Sequence, residues 1–116
     1  MFDLKEIKTS ISLDELKSFA TNQYGDFTKA VVDIVTNKLV IGVEMHVDAE
    51  AYLLENGSKQ ENLWGINIYP ELEKEDQIEF DSMINIRPTQ GNRSRDVEDL
   101  GIQKKIIEIV RAKIVE

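Results

Sequence analysis

The segment "NIRPTQGNRSR", residues 85–95, carries the side chains of this chain that are best suited to binding an anion. Arg87, Arg93 and Arg95 each present a planar guanidinium group, whose paired donors match the oxygens of a phosphate or a carboxylate. Gly91 would let the main chain approach a ligand closely. The competing interpretation is ion pairing within the chain, because three carboxylates follow directly: Asp96, Glu98 and Asp99.

His46, the only histidine, is the candidate for acid–base chemistry. It lies in "EMHVD", where Glu44 could orient the imidazole as a general base, while Arg87 stabilises the negative charge developing in a hydrolase-type reaction. Alternatively, Glu44, His46 and Asp48 could begin a metal site of mixed oxygen and nitrogen ligands. Because only one nitrogen ligand is available and cysteine is absent, we expect no zinc and no other cofactor.

Three segments carry the signals of helices that would position these residues. The first begins after Ser12, the cap of a capping box, and ends near Tyr24. The second is short, is capped by Asp48 and is stopped by Gly57. The third follows Asp99 and keeps an apolar face to the end of the sequence.

The stretch "DFTKAVVDIVTNKLVIGVEMHVD" fits either a helix over residues 27–36 or a β-hairpin. The density of β-branched residues favours the hairpin, with Asn37 and Lys38 as its two-residue turn. Val32 would then face Val43, and one face of the hairpin would be almost wholly apolar.

The segments "LWGINIYP" and "QIEFDSMINIRP" alternate apolar and polar residues, and the charged turn "ELEKED" separates them. Both are therefore predicted to be half-buried strands of a second hairpin. The sequence predicts one α+β domain over residues 1–116, built on a four-stranded antiparallel sheet of two hairpins. The N- and C-terminal helices would cover one face of the sheet, and the short helix would connect the hairpins.

The opposite face of that sheet would be polar and would hold the candidate site. The side chains expected on this face are Lys29, Glu44, His46, Asn67, Tyr69, Asp81, Asn85 and Arg87. Those predicted to bind a ligand are Arg87, Arg93, Arg95, Asn67, Asn85 and Asn92, with guanidinium groups giving charge and amides giving direction. An ordinary solvated sheet face is the alternative.

The overall charge limits the possible partners. Twenty-two acidic and fourteen basic residues give a net charge of −8, which disfavours long nucleic acid and anionic membrane surfaces. No apolar run typical of a signal peptide or a transmembrane helix occurs, and cysteine is absent. We therefore expect a cytoplasmic protein.

The stretches "GVEMHVDAEAYLLENGSKQENLWGINIYPE" and "FDSMINIRPTQGNRSRDVED", with the "KKIIEIV" helix behind them, resemble an uncharacterised family of small prokaryotic proteins, a domain of unknown function. The resemblance covers roughly residues 26–115. It implies a stand-alone cytoplasmic domain. Since the family has no assigned activity, it transfers no catalytic residue to this chain.

Three functional hypotheses follow from these patterns. The favoured one is a binding module for a small anionic or nucleotide-like ligand, or for an acidic segment of a partner, at the polar face and the arginine-rich loop. The second is the hydrolase-type enzyme with His46, Glu44 and Arg87. In the third, the sheet face forms a homodimer contact anchored by Trp64 or Tyr69.

Overall fold

The computed structural model describes residues 4–116. Within that range the α-helices are α1 (Leu13–Gln23), α2 (His46–Glu55) and α3 (Leu100–Lys113). The strands are β1 (Lys5–Glu6), β2 (Ile11–Ser12), β3 (Thr28–Asp33), β4 (Lys38–Val43), β5 (Leu63–Ile68), β6 (Ile78–Glu79) and β7 (Ile114–Val115). Five strands form an antiparallel sheet in the order β1-β4-β3-β5-β6, whereas β2 and β7 form a separate parallel pair. None of the described helices has the length and apolar composition needed to cross a membrane.

The α+β class and the three helices are confirmed. The predicted caps, Ser12 and Asp99, are present at the N-terminal ends of two of the helices. The hydroxyl of Ser12 accepts a hydrogen bond from the Glu15 N–H at 3.0 Å, at the start of α1. The carboxylate of Asp99 accepts from the N–H groups of Gly101 and Ile102, at the start of α3. Local side-chain chemistry therefore fixes where these helices begin.

The first hairpin is confirmed, but its turn differs from the prediction. Residues 34–37 form a four-residue turn, in which the Asp33 carboxylate accepts from the N–H groups of Val35 and Thr36. Val32 consequently pairs with Leu39 rather than with Val43. Because the shift is an even number of residues, Val32 still faces the predicted apolar side.

The sheet is covered on both faces, whereas helices were predicted on only one. As expected, α1 and α3 pack on one face, where Leu16 and Ile106 belong to the same buried cluster as Val32 and Ile66. On the other face, α2 covers an apolar patch to which β3, β4 and β5 contribute. This second cluster contains Val31, Val40, Val43, Ala49, Leu53 and Leu63. The opposite face is therefore polar only toward one end.

The main sheet was predicted to have four strands and has five, because the two-residue strand β1 was missed. Lys5 and Glu6 pair with Ile41 and Val40 of β4. A strand of two residues is too short to show an alternating pattern, so its sequence carries no signal of period two.

The predicted long fourth strand is wrong beyond its first residues. Only Ile78–Glu79 pairs with β5, and Met83–Asn85 form a single 3-10 turn instead. The hydroxyl of Ser82 accepts from the Ile84 N–H at 3.3 Å, which turns the chain out of the sheet. At this point the chain crosses β5 so closely that a Cβ atom on Gly65 would lie 2.5 Å from Ser82.

Side chains replace the missing strand along the outer edge of β5. The Asn85 carboxamide accepts from the Gly65 N–H at 2.8 Å and donates to the Gly65 carbonyl at 3.0 Å, as a neighbouring strand would. The same amide donates to the Arg95 carbonyl at 2.9 Å. Farther along the edge, the Arg87 guanidinium donates to the Leu63 carbonyl. The polar cluster of the sequence thus closes an edge of the sheet.

Replacing Asn85 by Ala tests the importance of this edge. Asn85 is fully buried, and its loss leaves the N–H and C=O groups of Gly65 without partners. We expect the free energy of unfolding to fall by about 2–4 kcal/mol, as measured by urea denaturation. The matched control is Asn22→Ala on the exposed face of α1, which should change it by less than about 0.5 kcal/mol. A similar small effect for Asn85→Ala would contradict this role.

Candidate functional site

A cavity of about 530 Å³ lies at the polar end of the sheet, where β6 is short. Lys29 of β3, His46 of α2, Asn67 of β5 and Glu79 of β6 line it. The loop that contains Arg95 forms another part of its wall. Side chains from four elements therefore meet in one concave space, within the 300–1,000 Å³ range typical of small-molecule sites.

His46 is the first residue of α2, and its side chain is buried, with 9% exposed. Its Nε2 atom lies 2.8 Å from the Ile66 carbonyl oxygen. Because a carbonyl oxygen only accepts, Nε2 carries the hydrogen, and Nδ1 of the neutral ring keeps a free lone pair. Burial lowers the pKa of His46 below its usual value, and Lys29 adds to this effect, while the Ile66 carbonyl, Asp81 and the Asn67 side chain oppose it. The imidazole is therefore a neutral group at neutral pH.

Asn67 lies beside this histidine with only 6% of its surface exposed. Its Nδ2 donates to a carboxylate oxygen of Glu79 at 2.8 Å, and the Tyr69 hydroxyl donates to the same oxygen at 3.2 Å. These contacts fix the orientation of the amide. Its Oδ1 atom is buried and has no hydrogen-bond partner within residues 4–116. A buried acceptor without a donor destabilises the folded protein by about 1–3 kcal/mol. A ligand that donates a hydrogen bond to this oxygen would remove that cost.

Two cationic side chains line the same cavity and keep donors free. The Nε atom of Arg95 contacts Asp81 at 2.6 Å, and both side chains are about half exposed, so the pair adds little stability. The two terminal nitrogens of Arg95 have no partner in the described part of the chain. Lys29 Nζ lies 5.1 Å from the centre of the Tyr24 ring and forms no described ion pair. Both cations can therefore bind an incoming anion.

The N-terminal end of α2 also faces this cavity. Its cap residue, Met45, has no side-chain oxygen to accept from the first turn, and the Asp48 carboxylate instead accepts from the Met45 N–H at 3.2 Å. Asp48 was predicted to be the cap, but it lies in the first turn. No described group accepts from the N–H groups of His46 and Val47. Free first-turn donors favour an anion at this end of the helix.

Arg87 lies outside this cavity and supports the main chain. Its guanidinium donates to the carbonyls of Gln60 and Leu63, and it stacks on the Trp64 ring at 4.1 Å from the ring centre. Burial lowers the pKa of Arg87, and Glu50 opposes this effect. Trp64 itself is buried, so it does not form the surface anchor that was considered for a homodimer.

Asn92 organises the arginine-rich loop from within. Its Nδ2 donates to the carbonyls of Asn85 and Asp96, each at 2.7 Å, and its Oδ1 accepts from the Glu98 N–H at 2.9 Å. Arg93 is exposed, and its main-chain N–H donates to the Glu98 carboxylate at 3.0 Å. The amide groups of Asn85 and Asn92 are thus used within the chain.

The structure brings together only part of the predicted set. Among the predicted ligand-binding residues, Asn67 and Arg95 line the cavity, together with the catalytic candidate His46. Glu44 is exposed, and the partner of His46 is the Ile66 carbonyl rather than the Glu44 carboxylate. Glu79 was missed as a site residue, although strand alternation places it on the same side as Asp81. Among the described residues, no group of three or more His, Asp or Glu side chains could hold a metal ion.

A family model described as "Protein of unknown function (DUF5674)" matches residues 5–113 of the chain. No curated protein and no solved structure matches it.

Substitution of two arginines of the same segment should separate structural and surface roles. Arg87→Ala removes the donors of two main-chain carbonyls and the contact with Trp64, so we expect a loss of about 2–3 kcal/mol in the free energy of unfolding. Arg93→Ala, which changes the same charge on an exposed side chain, should cost less than about 0.5 kcal/mol. Equal losses in urea denaturation would show that Arg87 is not a structural residue.

The buried histidine should make stability depend on pH in a defined window. In the unfolded chain the pKa of His46 is about 6.5, and in the folded protein it is lower. Between the two pKa values the unfolded state therefore binds more protons than the folded state. The free energy of unfolding should therefore decrease as pH falls below about 6.5. His46→Gln should lack this decrease in urea denaturation at pH 5 to 8.

The carboxylates with lowered pKa values, Asp33 and Glu98, lose their contributions only closer to pH 4 and below, so they do not obscure this window. Identical pH profiles for His46→Gln and the unsubstituted protein would rule out a buried neutral His46.

Proposed function

We propose that this chain, which belongs to the family of proteins of unknown function (DUF5674), is a cytoplasmic binding module for a small anionic, nucleotide-like ligand. Because membership of the family assigns no activity, the proposal rests on the site itself. The observation that carries the proposal is the buried Asn67 Oδ1, which lacks a donor inside a cavity that also contains two cations with free donors. Such a site gains most when a ligand enters, since the ligand supplies the missing partners.

The charged half of the ligand would lie near Lys29, Arg95 and the first turn of α2. Guanidinium and ammonium groups form charge-assisted hydrogen bonds with phosphate or carboxylate oxygens, and the helix end adds a favourable dipole. The protein as a whole carries a net charge of −8, which repels a long polyanion at distances beyond the cavity. A small anion is therefore favoured over nucleic acid.

An aromatic wall supports a ligand with a flat ring. Phe27 stacks on Tyr24 with ring centres 4.7 Å apart, and Tyr69 lies against Phe27 at 5.1 Å. Phe27 and Tyr69 both line the cavity. Planar groups pack favourably against aromatic side chains, so a nucleobase would lie against this wall with its phosphate near the cations.

The enzyme alternative is less well supported. A neutral His46 with a free Nδ1 lone pair has the form of a general base. Its proposed helpers are dispersed, however, because Glu44 is exposed and Arg87 donates to main-chain carbonyls. Binding needs no such assembly of three groups, and the proposal is therefore a binding module.

Titration with nucleoside monophosphates by isothermal calorimetry tests the proposal. We expect saturable binding of at least one of AMP, GMP, CMP and UMP, and Lys29→Gln or Arg95→Gln should each weaken it by about 10-fold or more. Matched controls are Lys104→Gln and Arg111→Gln on the exposed side of α3, which should leave affinity within about two-fold. Absence of saturation at about 10 mM for all four nucleotides, or equal losses in the controls, would refute it.

A further inference from the structure

The charges of the cavity cancel, which limits what a purely anionic ligand can gain. Lys29 and Arg95 contribute two positive charges, and Glu79 and Asp81 contribute two negative charges. His46 adds none while its buried imidazole is neutral. A simple anion would meet two carboxylates along with the two cations, so its net electrostatic attraction is small.

The same cavity has acceptors that no described donor uses. One oxygen of Glu79 accepts from both Asn67 and Tyr69, while its second oxygen has no described partner. Asn67 Oδ1 also lacks a donor, and His46 Nδ1 keeps its lone pair because Nε2 is the atom at the Ile66 carbonyl. These acceptors come from β6, β5 and α2. They repel ligand oxygen atoms that carry no hydrogen and attract hydrogen-bond donors. N–H groups suit them best, because a hydroxyl group also carries lone pairs.

We infer that the ligand is amphoteric, with an anionic group for Lys29 and Arg95 and at least two N–H donors for the acceptors of Glu79, Asn67 and His46. The inference rests on the proposed binding function and narrows its ligand class. A nucleotide whose base carries N–H donors has this chemistry, and so does an amino acid, whose ammonium group lies beside its carboxylate. A sugar phosphate has hydroxyl groups but no N–H donors, and inorganic phosphate has no N–H donors either.

Cations and acceptors meet in this one cavity, where Lys29 of β3 is the cross-strand partner of Asn67 of β5. Arg95 comes from the loop and contacts Asp81, whereas Glu79 is held on the sheet by Asn67 and Tyr69. A ligand with both chemistries satisfies each side without leaving a buried polar atom unpaired. A ligand with only one leaves the other unsatisfied, which lowers affinity by the cost of the unpaired groups.

Calorimetric titration of the full chain with matched probes tests the inference. The probes are GMP, which has an anion and N–H donors, ribose 5-phosphate, which has the anion and sugar hydroxyls but no N–H donors, and guanosine, which has the N–H donors and sugar hydroxyls but no anion. We expect GMP to bind at least about 10-fold more tightly than either half. L-glutamate provides the amino-acid arm. If L-glutamate binds more tightly than GMP, the amphoteric ligand is an amino acid rather than a nucleotide.

Glu79→Gln gives a second readout, because it replaces one acceptor oxygen by a donor and removes a negative charge. The advantage of GMP over ribose 5-phosphate should fall to within about two-fold, while ribose 5-phosphate should bind as well as before or better. The control is Glu55→Gln at the exposed end of α2, which should preserve the advantage. If Glu79→Gln does not fold, the comparison of probes on the unsubstituted protein still decides the question.

The possible failures are distinguishable. If ribose 5-phosphate and GMP bind equally to the unsubstituted protein, the donors do not matter and the inference is wrong, while the binding module stands. If the nucleotide advantage survives in Glu79→Gln, the assigned acceptor is wrong and the inference fails in that form. If none of the probes binds saturably at about 10 mM, the inference and the proposed function both fail.

Discussion

The fold of this protein depends on the side chain of Asn85, which takes the hydrogen-bonding place of a neighbouring strand at the edge of β5. Asn85 pairs with both main-chain groups of Gly65, so the outer edge of β5 is satisfied without a continuous neighbour. The chain after Glu79 is therefore free to leave the sheet, and its 3-10 turn and loop form over the edge.

The cavity is a consequence of how the two faces of the sheet are covered. On the face opposite α1 and α3, α2 packs on an apolar patch and begins at His46, whose ring reaches the Ile66 carbonyl. Beyond this point the face is polar, and side chains of β3, β5 and β6 remain around an open space. The unpaired amide oxygen of Asn67 disfavours the folded state, and sites that bind ligands are where such unsatisfied polar groups are expected.

The sequence was informative where structure is decided locally. The caps at Ser12 and Asp99 and the apolar faces of the first hairpin follow from neighbouring residues or from period two. The 3-10 turn in "SMINIR" could not be predicted from local sequence. The segment alternates apolar and polar residues as a strand does, but Asn85 forms a hydrogen bond with a residue 20 positions away. Arg87 and Arg95 differ for the same reason, although they are close in sequence. Arg87 donates to a main-chain carbonyl at the edge of β5, whereas Arg95 lines the cavity. Side-chain bonds to a remote main chain leave no periodic trace.

The closed edge of β5 also bears on association between copies of the chain. Exposed strand edges with free N–H and C=O groups recruit strands from other molecules, and this is a common start of aggregation. Here Asn85 and Arg87 occupy those groups on one side of the sheet, and β1 shields part of β4 on the other. Side chains of fixed shape cannot slip in register as a mobile strand can, so they protect this edge against intermolecular strand addition.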